Sequence, residues 1–168
     1  MTLQSKRAYL LGFIIALVQF GCSGNPSRVS ATLNQNAALA GDIRENPLRW
    51  KVITSTIDRS DSTMATLFGN DLAVEYVRSH SQQDYPAGSV LSLVTWNQRE
   101  DPRWFGANIP NRIKSVEFVT VSAQPNEPPS YSYEEYEGSP LAKTTAQEPA
   151  VAKERTAYLL SLRAAVLP

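Results

Sequence analysis

The feature that most constrains the fold is a nearly unbroken apolar run at residues 89–96. Val90, Leu91, Leu93 and Val94 leave little polar surface on this run. A short, continuous apolar stretch rich in β-branched residues is typical of a strand covered by other structure. We therefore predict a central strand here, and the rest of the chain must supply its neighbours.

Alternating apolar and polar residues predict further strands on both sides of this run. The predicted strands cover residues 50–57, 62–68, 113–121 and 131–136. Residues 97–112 are expected to form a loop, because they carry Pro102, Gly106 and Pro110.

Two helices complete the predicted fold. Asn70 is a good N-cap for a short helix whose buried face comprises Leu72, Ala73, Tyr76 and Val77. Pro149 can open a C-terminal helix that packs on the sheet. Its apolar face is expected to contain Val151, Arg155, Tyr158, Leu159, Leu162 and Val166. The expected fold class is α+β, with a mostly antiparallel β-sheet, a short helix after Asn70 and a C-terminal helix.

The N-terminus has the order of a secretory signal. Lys6 and Arg7 precede an apolar run from Ala8 to Phe20, and small residues follow. The run is shorter than the roughly 20 residues that a membrane-spanning helix needs. We therefore predict a signal peptide of the lipoprotein type at residues 1–21.

Cys22 is the only cysteine, and it lies where a bacterial lipoprotein carries its lipidated residue. A lone cysteine has no disulfide partner, so lipidation explains its presence. Cleavage after Gly24 is the alternative, and it would give a soluble periplasmic protein. The expected location is the periplasmic side of a bacterial cell envelope, with the membrane as a partner through the lipid anchor.

Charge and composition limit the remaining chain. The sequence has 16 basic and 16 acidic residues, and removal of Lys6 and Arg7 leaves a small acidic excess. Such a chain has no excess of positive charge with which to bind a nucleic acid. Residues 22–46 are rich in Ser, Asn and Ala and are expected to be a tether, followed by a folded domain at 47–141 and a C-terminal loop and helix at 142–168.

Five stretches carry a resemblance to a known family. They are Trp50–Val52, Phe68–Ala73, Tyr85–Leu91, Val116–Val119 and Tyr131–Gly138. In this order and spacing, residues 47–138 resemble the P-460-type cytochromes, including the cytochrome c-prime-beta group. The resemblance implies a β-rich, dimeric, exported domain that holds a c-type haem and oxidises hydroxylamine or binds nitric oxide or carbon monoxide.

The sequence departs from that family at the haem attachment. The family attaches haem through a Cys-x-x-Cys-His motif near the C-terminus, and residues 142–168 contain neither cysteine nor histidine. Two thioether bonds need two thiols. The lysine that bonds haem in hydroxylamine-oxidising members also has no counterpart in residues 118–122. We therefore expect no covalent haem and no other cofactor or metal.

The remaining residues with ligand chemistry have structural explanations. His80, the only histidine, is a weak candidate for haem ligation but better explained as a solvated cap at a helix C-terminus. Met64 is the only methionine of the processed chain, and core packing is its expected role. Glu134, Glu135 and Glu137 alternate with tyrosines as in a half-buried edge strand, although paired carboxylates also suit acid–base chemistry or a hard cation.

Three aromatic residues, Trp96, Trp104 and Phe105, could line a pocket for a small apolar ligand, but core packing is the commoner role of such side chains. The sequence thus predicts a lipid-anchored envelope protein without covalent haem and without catalysis, which binds a small ligand or a partner. The alternative is haem-dependent hydroxylamine oxidation or nitric oxide binding, with haem held non-covalently.

Overall fold

The computed structural model describes residues 33–80, 84–123, 128–145 and 147–165. Six strands form one antiparallel sheet, and two helices accompany it. The elements are β1 (Lys51–Asp58), β2 (Thr63–Gly69), α1 (Asp71–Ser79), β3 (Val90–Glu100), β4 (Asn108–Ser122), β5 (Ser130–Glu137), β6 (Ala142–Lys143) and α2 (Pro149–Ser161). The α+β class, the antiparallel sheet and both helices are therefore confirmed.

The strands lie in the sheet in the same order as in the chain. The apolar strand β3 pairs with β2 on one side and with β4 on the other. Its central position, predicted from its lack of polar surface, is confirmed. The short strand β6, which pairs with β5 at Tyr136 and Glu137, was not predicted from the sequence.

The loop predicted at residues 97–112 is wrong in its length. β3 continues to Glu100 and β4 begins at Asn108, so the connection shrinks to residues 101–107. Pro110 lies inside the ladder opposite Gln98, next to a register shift between Trp96 and Gln98. Such an irregularity lets a strand accept a proline, which cannot donate a ladder hydrogen bond.

Both helices contribute to a core on one face of the sheet, which we call the helix face. This core includes Leu67, Leu91 and Val119 from the strands. From α1 it takes Ala73 and Val74, and from α2 it takes Leu159 and Leu160. Because these side chains leave water together, the sheet cannot be separated from its helices without exposing apolar surface.

The N-terminal segment covers the opposite face, which has a second core around Phe118. Ala37, Leu39 and Ile43 pack against this core, and the indole Nε1 of Trp96 donates to the backbone oxygen of Ala37 at 3.0 Å. Residues 34–46, expected to be part of a tether, therefore lie on the sheet, because their scattered apolar side chains cover a face that no helix reaches. The compact unit begins at Asn34.

Helix α1 begins as its sequence predicts. The Asn70 side-chain oxygen accepts from the backbone N–H of Ala73 at 3.0 Å, which satisfies one free donor of the first turn. The buried residues are Ala73 and Val74, whereas Leu72, expected on the buried face, is exposed. The helix is thus rotated slightly from the predicted orientation.

The face that α2 buries also differs from the prediction. Its buried residues are Thr156, Leu159 and Leu160, whereas Val151 and Tyr158 are exposed. Leu159 and Leu160 are adjacent and both buried. They determine which side of α2 faces the sheet more strongly than the predicted spacing of apolar residues along the helix does. Val166, the last residue of the predicted face, lies outside the described residues.

The predicted signal peptide at residues 1–21 and the lipidation site Cys22 also lie outside the described residues. Among the residues that the structure does describe, no helix is long and apolar enough to cross a membrane.

Candidate functional site

A polar cleft lies on the helix face beside α2. It encloses about 290 Å³. Its acidic lining residues are Asp58, Asp61, Glu117, Glu135 and Glu137, and its cationic ones are Lys114 and Arg155. Only Ala65 and Leu93 add aliphatic side chains to the lining. The cleft is therefore suited to water and charge rather than to an apolar ligand.

The floor of the cleft is a buried carboxylate with three donors. Glu117 is 1% exposed, and Arg155 of α2 reaches it with Nε at 2.8 Å and with a terminal nitrogen at 2.7 Å. The Tyr133 hydroxyl donates to the same carboxylate. Such a two-pronged arginine contact is a strong form of ion pair, and here it holds α2 against the sheet.

Strand register brings these groups together. Glu117 of β4 lies opposite Leu93 of β3 and opposite Glu135 of β5. Their side chains therefore share one face of the sheet, where Arg155 meets them. The signal for this contact is present in the sequence, because Glu117 interrupts the apolar stretch from Val116 to Val119. The contact itself does not follow from the sequence, since a single charge in a strand does not reveal its partner.

The network shifts the ionisation of its members. Burial raises the pKa of the Tyr133 hydroxyl, and the hydrogen bond to Glu117 raises it further, so Tyr133 keeps its proton over the physiological range. Burial raises the pKa of Glu135, and repulsion by the neighbouring Glu117 and Glu137 carboxylates raises it further. The hydrogen bond to Glu117 raises the pKa of Arg155 and keeps it charged. Tyr133 and Arg155 thus act as permanent donors to Glu117.

The three glutamates grouped by sequence do not form one site. Glu135 and Glu137 face the cleft, whereas Glu134 points to the opposite face, as expected for neighbours on a strand. There Glu134 pairs with Lys143 at 2.6 Å and with Arg44 at 3.4 Å. Within the described residues, no group of three or more histidine, cysteine or acidic side chains is placed to hold a metal ion.

The Glu134 ion pairs make a pH-dependent contribution to stability. The Lys143 hydrogen bond lowers the pKa of Glu134, although burial opposes it. A lowered carboxyl pKa stabilises the fold above the ordinary carboxyl pKa, and this contribution is lost as the pH falls through the lowered value. We expect Glu134→Gln to lower the free energy of unfolding by less than about 1 kcal/mol at pH 7, and to cost less still near pH 3. Urea titrations at both pH values measure this, with Glu154→Gln at an exposed position of α2 as the control. An equal loss at both pH values would contradict the assignment.

His80 lies away from the cleft. It follows the last residue of α1, is exposed, and stacks on Tyr76 with ring centroids 4.3 Å apart. Its Nδ1 lies 2.9 Å from the Ser79 hydroxyl and 3.1 Å from the Tyr76 backbone oxygen. Met64 packs in the core of the opposite face. The structure therefore does not bring the imidazole and the thioether together.

The three aromatic residues, for which core packing was expected and a common pocket was the alternative, are separated. Core packing is confirmed for Trp96, which is buried beneath the N-terminal segment, and is wrong for Trp104 and Phe105, which are exposed in the β3–β4 connection. The structure contradicts a common pocket, because the hairpin extends beyond the body of the sheet. An apolar groove of about 600 Å³ lies elsewhere, between β5 and α2. Tyr131, Tyr133, Pro149 and Leu160 contribute to its walls.

The polar cleft does not suit a haem group. Residues 142–168, where the resemblance places haem attachment, contain neither cysteine nor histidine. The polar cleft beside α2 has almost no aliphatic lining, whereas a porphyrin needs an apolar pocket and an axial ligand. His80 does not line this cleft.

Comparison with known families agrees with the fold and with the resemblance. The cytochrome P460 family model matches residues 48–153, which span every strand and the first five residues of α2. Among curated proteins, none matches the chain at a significant level. The match covers more than half of the sequence, and the chain therefore belongs to the cytochrome P460 family.

Proposed function

We propose that this protein is a lipid-anchored module of the bacterial cell envelope whose cytochrome P460-like domain carries no covalent haem and performs no catalysis. The observation that supports the absence of covalent haem most directly is that Cys22 is the only thiol of the chain, whereas two thioether bonds need two. The Arg155–Glu117 contact fastens the C-terminal helix to the sheet with protein groups alone.

The groove between β5 and α2 is the proposed place for a small ligand. Its walls combine tyrosine rings with the side chains of proline, alanine and leucine. Concave, mostly apolar surfaces with a few polar groups are typical of small-molecule sites. The Thr156 hydroxyl is directed to the Ala152 backbone oxygen at 2.7 Å, so Lys153 is the polar side chain that the helix offers to the groove.

Absorbance and mass of the purified native protein test the proposal together. We expect no Soret band, and an intact mass that corresponds to a chain beginning at an acylated Cys22. A stoichiometric Soret band would overturn the proposal that the protein carries no haem. A mass without acyl groups would overturn the lipid anchor and favour a soluble periplasmic protein.

The alternative, non-covalent haem ligated by His80, has a separate test. Haem titration of the wild-type protein and of His80→Ala would compare the two Soret spectra. We expect neither protein to give a saturable spectrum, because His80 is exposed and stacked on Tyr76 rather than directed into a cavity. A saturable spectrum that His80→Ala abolishes would establish the alternative.

A further inference from the structure

The β3–β4 connection presents two large aromatic side chains to solvent. Trp104 is 71% exposed and Phe105 is fully exposed. They are adjacent in the chain at the tip of a long hairpin. Single exposed apolar residues are common, but a contiguous aromatic pair at the tip of an extension marks an interaction surface.

The backbone of this tip is well bonded. The Asp101 N–H donates to the Ala107 oxygen at 2.9 Å, and the Ala107 N–H donates to the Trp104 oxygen at 3.1 Å. The Asp101 side chain accepts from the Arg103 N–H at 2.8 Å, and Gly106 provides the left-handed turn with φ of 77°. The turn therefore holds its shape while both aromatic side chains point away from the domain.

The surface around the tip adds apolar and cationic groups, while the acidic Glu100 and Asp101 lie where β3 enters the connection. Ile57, at the end of β1, is 66% exposed and lines a groove together with Arg59 and Gly106. Arg103 is exposed beside Trp104. Apolar side chains flanked by arginines match the chemistry of a bilayer interface, where arginine can lie at headgroup level.

The N-terminal chain joins the folded domain at the base of the same hairpin. The Asn34 amide donates to the backbone oxygen of Pro110 in β4, and Arg99 of β3 donates to the Asn34 side-chain oxygen at 3.4 Å. Twelve residue steps separate Cys22 from Asn34, so the tip lies within reach of a chain that spans at most roughly 40 Å. A lipid on Cys22 would therefore keep the bilayer within roughly 40 Å of Asn34, at the base of this hairpin.

We propose that the β3–β4 tip inserts Trp104 and Phe105 into the interface of the bilayer that holds the lipid anchor. The proposal rests on the anchor of the proposed function. Tryptophan favours the boundary between headgroups and acyl chains, and burial of both rings removes apolar surface from water. The domain would thus contact the membrane at two points and take a fixed orientation on it.

Fluorescence quenching by brominated lipid tests the insertion. The purified lipidated chain is reconstituted in vesicles of phosphatidylcholine and phosphatidylglycerol, with and without brominated acyl chains. We expect strong quenching of the wild-type emission and an at least twofold smaller quenched fraction in Trp104→Phe, because Trp96 is buried and Trp50 packs against Phe118. Equal quenched fractions in the two proteins would overturn the insertion.

A second variant and the mass measurement separate the two proposals. Phe105→Ser should reduce the quenching of Trp104, whereas Leu72→Ser removes an exposed apolar side chain near the opposite end of β3 and should leave it unchanged. If mass spectrometry finds no acyl group, the processed protein is added to the same vesicles and the same comparison decides the insertion. An acylated chain whose Trp104 is not quenched keeps the anchor and refutes the insertion.

Discussion

Replacement of Phe118 with alanine is expected to lower the free energy of unfolding by about 3–5 kcal/mol. The Phe118 ring is fully buried and makes edge contacts with Trp50 and Tyr136, with ring centroids 6.1 and 5.8 Å apart. The Arg44 guanidinium lies 5.3 Å from its centroid. Removal of the Phe118 ring leaves a cavity beneath the N-terminal segment, and the surrounding rings can close this cavity only in part. Urea denaturation followed by circular dichroism measures the loss.

Phe105→Ala is the matched control for this variant. It makes the same chemical change at a fully exposed position of the adjacent hairpin, so stability should change by less than about 0.5 kcal/mol. If the two variants lost similar stability, Phe118 would not be the centre of a packed core. Loss of stability in Phe118→Ala alone would support Phe118 as the centre of the core on the opposite face.

Arg155→Met is expected to cost about 2–3 kcal/mol of unfolding free energy. Removal of one partner from a buried ion pair costs about 3–5 kcal/mol, because the remaining charge stays buried without compensation. The loss here should be smaller, since the Arg155 side chain is 37% exposed and water can reach its place. Tyr133 also continues to donate to Glu117. Thermal and urea unfolding measure the change.

Two further variants isolate the ion pair. Lys153→Met removes the same charge from an exposed position of α2 and should be nearly neutral. The double variant Glu117→Gln/Arg155→Met should lose about 1–3 kcal/mol less unfolding free energy than the two single variants lose in sum, because neither charge is then left unpaired. An Arg155→Met loss equal to that of Lys153→Met would show that the contact contributes little.

Most of the fold follows from local patterns in the sequence. The apolar run at residues 89–96 predicts β3 and its central position, and Asn70 predicts the start of α1, because both signals act within a few residues. The extension of β3 to Glu100 does not follow from such patterns. It depends on pairing with Ile109 and Asn108 across the hairpin, and proline and glycine in that stretch indicate a loop when read alone.

The polar site is less predictable than the fold. Arg155 and Glu117 lie 38 positions apart in the chain, and α2 meets β4 only through tertiary packing. Glu134, Glu135 and Glu137 behave as the half-buried strand predicted for them, because alternation along β5 divides them between two faces. A residue's face can be inferred from its strand, but its partner on another element cannot.

The strand order has a consequence for the assembly of the domain. Each strand pairs with its successor, so the sheet can grow by closing one short hairpin after another. The segment before β1 is different, because Gly41 bridges to Leu141 and the Asp42 N–H donates to the Leu141 oxygen at 3.0 Å. A Cβ at Gly41 would lie 2.3 Å from that oxygen, so only glycine permits this approach. The segment before β1 is synthesised first, but it can dock only after Leu141, which lies between β5 and β6, is in place. Its docking therefore requires a nearly complete sheet.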